Sequence, residues 1–90
     1  MEKQTLAAVL LTSLSKVTGE ELASIGPQVD LINDLGIDSI EFVDLFFKLE
    51  HRLQVELDFA DLKRLCRAKR KNDMRILFED VMEYLASRMP

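Results

Sequence analysis

The sequence has very little cysteine, proline and glycine, and each scarcity excludes something. Cys66 is the single cysteine, so neither an internal disulfide nor a cysteine-based zinc site is available. A chain without disulfides is typical of a reducing compartment, and we therefore expect a cytoplasmic protein. Only two prolines and three glycines interrupt the chain, which leaves room for several helices.

Long hydrophobic runs are also missing. The mostly apolar stretch from Leu6 to Leu14 is too short to span a bilayer. It lacks the pattern of a signal peptide, because Glu2 offsets Lys3 and no small-residue cleavage motif follows. We expect this stretch to form the first helix. The whole chain, residues 1–90, should form a single domain with one modest core and little room for an enclosed active-site cleft.

The charges are divided unevenly along a chain whose net charge is −4. Residues 19–61 hold eleven acids against Lys48 and Arg52, whereas residues 62–90 hold eight bases and four acids. An acidic middle argues against nucleic acid as a partner and favours proteins that carry basic patches.

Apolar residues at helical spacing predict an all-α bundle of four helices. A long ordered loop, Gly19 to Ile37, separates the first two helices and includes one helical turn around residues 20–25. Val55 to Leu57 is predicted to be an extended connector, and Asn72 or Asp73 to open the last helix. The predicted helices are 3–17, 39–53, a short one that begins near Asp58, and 74–88.

The start of the second helix combines a predicted cap with a free hydroxyl. Asp38 suits the N-cap position, because Glu41 lies three residues later and completes a capping box. Ser39 is then the first helical residue, and we expect its side chain to project outward. The only histidine, His51, lies more than three turns down the same helix and cannot act as a base for Ser39. A serine at a helix N-terminus is well placed to carry a phosphate ester.

The second helix carries two apolar stripes. The first is the expected core face, and the second consists of Ile40, Val43 and Phe47, bordered by Asp44 and Glu50. One interpretation is that the second stripe packs under the long loop. The other is that it is an exposed docking surface rimmed by acids. The core face comprises Phe42, Leu45, Phe46, Leu49 and Leu53.

The segment from Asp30 to Glu41 has the length of a calcium loop. Ile32 stands where that loop needs an oxygen ligand, and Gly36 comes one position late. We therefore expect no dedicated metal site.

The same residues resemble a known family. Residues 34–40, D-L-G-I-D-S-I, are similar to the acyl carrier protein signature D-L-G-x-D-S-L. Pro27 and Leu31 resemble the proline and leucine of that family's long loop. Residues 42–53 keep its pattern of core residues and acids, and residues 78–85 are similar to its closing helix.

The resemblance implies a non-catalytic carrier with the four-helix fold of that family. Ser39 would carry 4′-phosphopantetheine, which a separate phosphopantetheinyl transferase takes from coenzyme A. The arm's thiol would hold acyl groups as thioesters for enzymes of fatty-acid, polyketide or related lipid biosynthesis. We expect a monomer. The positions that face partner enzymes in the family, whose basic patches read the acids, correspond here to Asp38, Ile40, Glu41, Val43, Asp44 and Phe47.

Two alternatives remain open at this point: a carrier of aminoacyl groups such as D-alanine, and an interaction module whose Ser39 stays unmodified. The chain also departs from the family. Lys63 to Lys71 is unusually basic, and it is either a solvated surface segment or a second recognition patch. Leu77 replaces a threonine, which suggests that the last helix begins earlier. The three phenylalanines of the second helix hint at a specialised, free-standing carrier.

Overall fold

The computed structural model describes residues 1–22, 25–71 and 73–90. These residues form four helices and no named strand, which confirms the predicted all-α bundle. The connector from Val55 to Leu57 belongs to no helix and no named strand. The helices are α1 (Lys3–Thr18), α2 (Ser39–Leu53), α3 (Phe59–Lys69) and α4 (Phe78–Arg88).

The helix ends follow local signals in the sequence. Gly19 ends α1 in a left-handed conformation (φ 72°), and its N–H donates to the Ser15 carbonyl at 2.9 Å. The Asp58 side chain caps α3 by accepting the Ala60 N–H at 2.8 Å.

One core lies between the four helices and is built largely from leucine and phenylalanine. The predicted face of α2 is buried in full. Tyr84 and Phe46 stack with ring centroids 6.0 Å apart, and Phe42 stacks on Phe59 at 4.7 Å. The Tyr84 hydroxyl also accepts the Asp58 N–H at 2.9 Å, which ties α4 to the start of α3. The most deeply buried side chains include Leu10, Leu14, Leu31, Ile37, Leu49, Leu62, Val81 and Leu85.

The long loop is ordered by backbone pairing with the segment before α4. Leu31 donates to the Ile76 carbonyl and Phe78 donates to the Val29 carbonyl, both at 2.9 Å. Asp30 and Leu77 form an isolated antiparallel bridge between them. The predicted helical turn around residues 20–25 is absent from Glu20 to Leu22, and residues 23 and 24 lie outside the described part of the chain.

The predicted start of the last helix was wrong. We expected α4 to begin at Met74, but the residues before Phe78 are extended because their backbone groups pair with the loop. Leu77 is the N-cap residue, and its N–H donates to the Asp80 carboxylate at 2.9 Å. Replacing the family's threonine has therefore not moved the helix start earlier. Of the two expected opening residues, Asp73 caps only the Arg75 N–H, at 2.9 Å, and Asn72 lies outside the described residues.

Candidate functional site

The capping box predicted at the start of α2 is present. Asp38 Oδ1 accepts the Glu41 N–H at 2.8 Å, and Glu41 Oε1 accepts the Asp38 N–H at 3.1 Å. Ser39 is the first residue of α2, is exposed, and makes no side-chain hydrogen bond with any residue that the structure describes. Because Asp38 provides the cap, the Ser39 hydroxyl is left free to react.

The loop before Ser39 is fixed by its own hydrogen bonds. Asp34 Oδ2 accepts the Asp30 N–H at 2.8 Å, and Ile37 donates to the Leu31 carbonyl at 3.0 Å. Gly36 adopts φ 70°, a left-handed conformation that favours glycine. The chain therefore enters α2 along a defined path, which presents Ser39 at a fixed place on the surface.

No base for Ser39 lies on its own helix. His51 is exposed about twelve residues further along α2, roughly 18 Å away at the helical rise. Within residues 1–22, 25–71 and 73–90, no group of three histidine, cysteine or acidic side chains could hold a metal ion. Histidine on α2 therefore does not activate the Ser39 hydroxyl as a nucleophile.

The second stripe of α2 is exposed, so the interpretation that it packs under the long loop was wrong. Ile40, Val43 and Phe47 are 78%, 65% and 70% exposed. The neighbouring Phe42 and Phe46 are buried in the core. An apolar stripe of this kind beside acids is typical of a surface that contacts another protein.

The acids around this stripe have partners within the chain. Asp44 accepts from Lys48 Nζ at 2.8 Å, and Glu41 belongs to the capping box. Glu50 Oε2 accepts the Leu57 N–H at 2.9 Å, which holds the connector against α2. These carboxylates therefore stabilise the helix as well as making its outer face acidic.

An apolar cavity beside Ser39 could not be predicted from the sequence, because α2, α3 and the segment before α4 all contribute to it. Its volume is about 250 Å³. Cys66 lines it, and burial, with a further contribution from the Asp80 carboxylate, raises the pKa of this thiol to about 11. The thiol is therefore protonated and unreactive at neutral pH. The lining residues are Ile32, Ile37, Asp38, Ser39, Phe42, Phe59, Lys63, Cys66, Arg67, Asp73, Met74 and Ile76.

The basic run from Lys63 to Lys71 has two structural roles. Lys69 Nζ lies 3.0 Å from Asp80 Oδ1, and Arg70 forms a second ion pair with the same carboxylate, which is fully buried. Lys69 is exposed, as expected for a solvated surface segment, whereas Arg70 is half-buried, and both bind the buried carboxylate. Arg64 pairs with Asp61 on the surface of α3.

Two other cations of the run, Lys63 and Arg67, line the cavity beside Ser39. Lys63 Nζ lies 5.1 Å from the centroid of the Phe59 ring. Arg67 and Lys71 are exposed and form no ion pair with the part of the chain that the structure describes. Whether these cations form a second recognition patch stays a prediction.

Comparisons with known proteins point in one direction. A family model described as a phosphopantetheine attachment site matches residues 8–67. The chain is 36% identical to an acyl carrier protein of Syntrophus aciditrophicus over 73 residues, 81% of this chain and 75% of that protein. It is 25% identical to an acyl carrier protein of Desulforapulum autotrophicum over 73 residues, 81% of this chain and 82% of that one. A third similar protein, the acyl carrier protein of Thermotoga maritima, is 35% identical over 52 residues, 58% of this chain and 64% of its own.

These comparisons confirm the predicted cofactor, 4′-phosphopantetheine, and the expectation of a carrier rather than a catalyst. The exposed hydroxyl at the start of α2 fits a covalently attached group, because it is free of the cap and open to solvent. Among the described residues, no helix is long and apolar enough to cross a membrane. The family match, the relatives and the four-helix fold agree, and the chain belongs to the acyl carrier protein family.

Proposed function

We propose that Ser39 is the attachment point of 4′-phosphopantetheine and that the arm's thiol carries acyl groups as thioesters. A separate phosphopantetheinyl transferase would form the bond between Ser39 Oγ and the phosphate of the arm, using coenzyme A as donor. The observation that carries this proposal is the Ser39 hydroxyl, which is exposed at the first position of α2 while Asp38 supplies the cap.

The helix terminus supports the proposal electrostatically. The first amides of a helix have no intrahelical acceptor and carry a partial positive charge, which favours a phosphate at this end. The capping box occupies the Glu41 amide, and the amides before it remain available. The cavity beside Ser39 offers apolar surface to a cargo chain.

The partner face is the second part of the proposal. The stripe of Ile40, Val43 and Phe47, with Asp38, Glu41 and Asp44 around it, would dock enzymes that carry basic patches. Those enzymes would belong to fatty-acid, polyketide or related lipid biosynthesis in the cytoplasm, and the carrier would act as a monomer.

Intact-mass spectrometry tests the attachment. Incubation with coenzyme A and a phosphopantetheinyl transferase should add roughly 340 Da, the mass of a single phosphopantetheine ester. Ser39→Ala should abolish the gain. Ser87→Ala is the control, because it removes a serine hydroxyl on another helix, one that donates to the Tyr84 carbonyl, and should leave the gain unchanged. If the protein gains no mass, the proposal is refuted and an unmodified interaction module is favoured.

Cargo distinguishes the acyl carrier from an aminoacyl carrier. The modified protein is offered fatty-acyl and D-alanyl groups with their activating enzymes, and the mass of the product identifies which is loaded. We expect acyl loading, and exclusive D-alanyl loading would contradict this part of the proposal.

Charge reversal tests the docking face. Asp44→Lys should slow modification and acyl transfer at low salt and lose that effect at high salt, because docking by exposed charges is screened. Glu41→Lys is a poorer probe, since it also breaks the capping box. Glu20→Lys makes the same charge change at an exposed acid of the long loop and should have little effect. Equal rates for all of these proteins would disprove acidic recognition.

A further inference from the structure

The cavity beside Ser39 adjoins a second cavity that Ser39 does not line. The second cavity has a volume of about 350 Å³ and is lined by Arg67, Lys71, Asp73 and Met74. Three of these residues, Arg67, Asp73 and Met74, also line the first cavity. The two cavities therefore share a border, and Ser39 lines the first of them only.

The two cavities differ in chemistry. The wall of the first cavity is mainly apolar and includes Ile37, Phe42 and Ile76, although Lys63 and Arg67 also line it. The second cavity is bordered by the two exposed cations, Arg67 and Lys71, that form no ion pair with the described part of the chain. An alkyl segment matches the first environment, and an anion matches the second.

Asp73 does not cancel these cations, because other arginines already pair with it. Arg75 Nη2 lies 2.7 Å from Asp73 Oδ2, and Arg70 Nε lies 3.9 Å from the same oxygen. The hydrogen bonds from Arg75 lower the pKa of Asp73, so it is ionised and paired at neutral pH. In the second cavity, the charge left for a ligand is that of Arg67 and Lys71.

We propose that the cargo of this carrier is an acyl chain with a negatively charged group at its far end, such as an ω-carboxylate. The inference rests on the proposed attachment at Ser39. The alkyl part lies in the first cavity, and the carboxylate meets Arg67 and Lys71 in the second. Arg67 can bind a carboxylate with two parallel hydrogen bonds, and the charge stays close to water, so the cost of burying it is avoided. A cavity of ~150 Å³ accepts benzene, so the first cavity has room for more than six carbons.

The experiment compares three cargo groups built on the same octanoyl chain, on the intact protein. A phosphopantetheinyl transferase loads the chain from octanoyl-coenzyme A, from ω-carboxyoctanoyl-coenzyme A and from the methyl ester of the latter. Intact-mass spectrometry then follows cleavage of each thioester by hydroxylamine at pH 7. Each rate is divided by the rate for the same thioester of free coenzyme A, which removes differences in intrinsic reactivity.

We expect the carboxylated cargo to be cleaved roughly threefold more slowly than its methyl ester, the size of effect that exposed ion pairs produce. Arg67→Gln and Lys71→Gln should each reduce this difference, and the double variant should remove it. Arg64→Gln is the matched control: it removes one positive charge from the same helix, but Arg64 pairs with Asp61 and lines neither cavity.

The possible failures are distinct. Equal protection of all three cargo groups overturns the inference and leaves the carrier function standing. If Arg67→Gln accelerates cleavage equally for all three, the cations serve the phosphodiester of the arm, and the inference is again overturned. If no mass is gained from any donor, the attachment at Ser39 is refuted and the inference falls with it.

Discussion

Replacing Asp80 by asparagine removes a buried charge that joins α3 to the start of α4. The Asp80 side chain is fully buried and accepts from Lys69 Nζ at 3.0 Å, from Arg70 and from the Leu77 N–H at 2.9 Å. Burial alone would raise the pKa of Asp80. The hydrogen bonds from Arg70, from the Leu77 amide and from Lys69 outweigh burial and lower the pKa to about 2.

The size of the pKa shift sets the upper limit of the expected change in the free energy of unfolding. The ordinary value is 3.8, so the shift to about 2 corresponds to at most about 2.5 kcal/mol in the free energy of unfolding. Lys69 is 34% exposed, and water near this ion pair screens part of the interaction. We therefore expect Asp80→Asn to lower the free energy of unfolding by about 1 to 2 kcal/mol at pH 7.

The pH dependence has a definite sign. A carboxylate whose pKa is lower in the folded state stabilises the fold above its unfolded pKa, near 3.8, and this stabilisation is lost as the pH falls through about 2. The difference between wild type and Asp80→Asn should be constant from pH 7 to pH 5 and fall to about half by pH 3.

Urea denaturation followed by far-UV circular dichroism measures this difference, which should shift the midpoint at pH 7 by roughly 1 M. Glu83→Gln is the control, because Glu83 pairs with Lys69 on the surface and should change stability by less than about 1 kcal/mol. Identical midpoints for wild type and Asp80→Asn at pH 7, or a difference that persists unchanged to pH 3, would refute the reasoning.

Two further predictions use the same urea assay, and each compares two residues of the same type. Phe47→Ala should change the free energy of unfolding by no more than about 0.5 kcal/mol, since the ring is 70% exposed. Phe46→Ala should lower it by about 3 to 5 kcal/mol, because the Phe46 ring is buried. Similar losses for the two variants would contradict the description of α2 as a helix with one buried and one exposed apolar face. Gly36→Ala should lower the free energy of unfolding by about 1 to 2 kcal/mol because of the positive φ at this position, although an added Cβ meets nothing within 4 Å. Gly26→Ala is the control: it is also in open space but has no positive φ, and it should be close to neutral. Equal losses for the two variants would argue against backbone strain at Gly36.

The second helix could be predicted almost completely from the sequence. Its bounds, its capping box and its buried face all depend on residues close together in the chain, and local rules describe such residues well. The exposure of Ser39 follows from the same reasoning, since a residue just after the cap points outward. The exposure of the stripe formed by Ile40, Val43 and Phe47 depends on the path of the long loop, and the sequence does not specify that path.

The errors arose where distant segments meet. Met74 to Leu77 continue the apolar pattern of α4, but backbone pairing with the loop holds them extended. Lys69 and Arg70 looked solvated because Asp80, which binds them, comes from another helix. The cavity beside Ser39 could not be predicted for the same reason, because several elements distant in the sequence line it.

The pairing of the long loop with the segment before α4 also has a consequence for the order of events during synthesis. Val29 and Leu31 acquire their backbone partners only when Ile76 and Phe78 have been made, late in translation. A nascent chain that ends before those residues can form the loop's own hydrogen bonds but lacks the pairing that holds Val29 and Leu31 against the segment before α4. We therefore expect a chain truncated after Lys71 to gain no mass with coenzyme A and a transferase. Attachment of the arm would then mark chains that are both complete and folded.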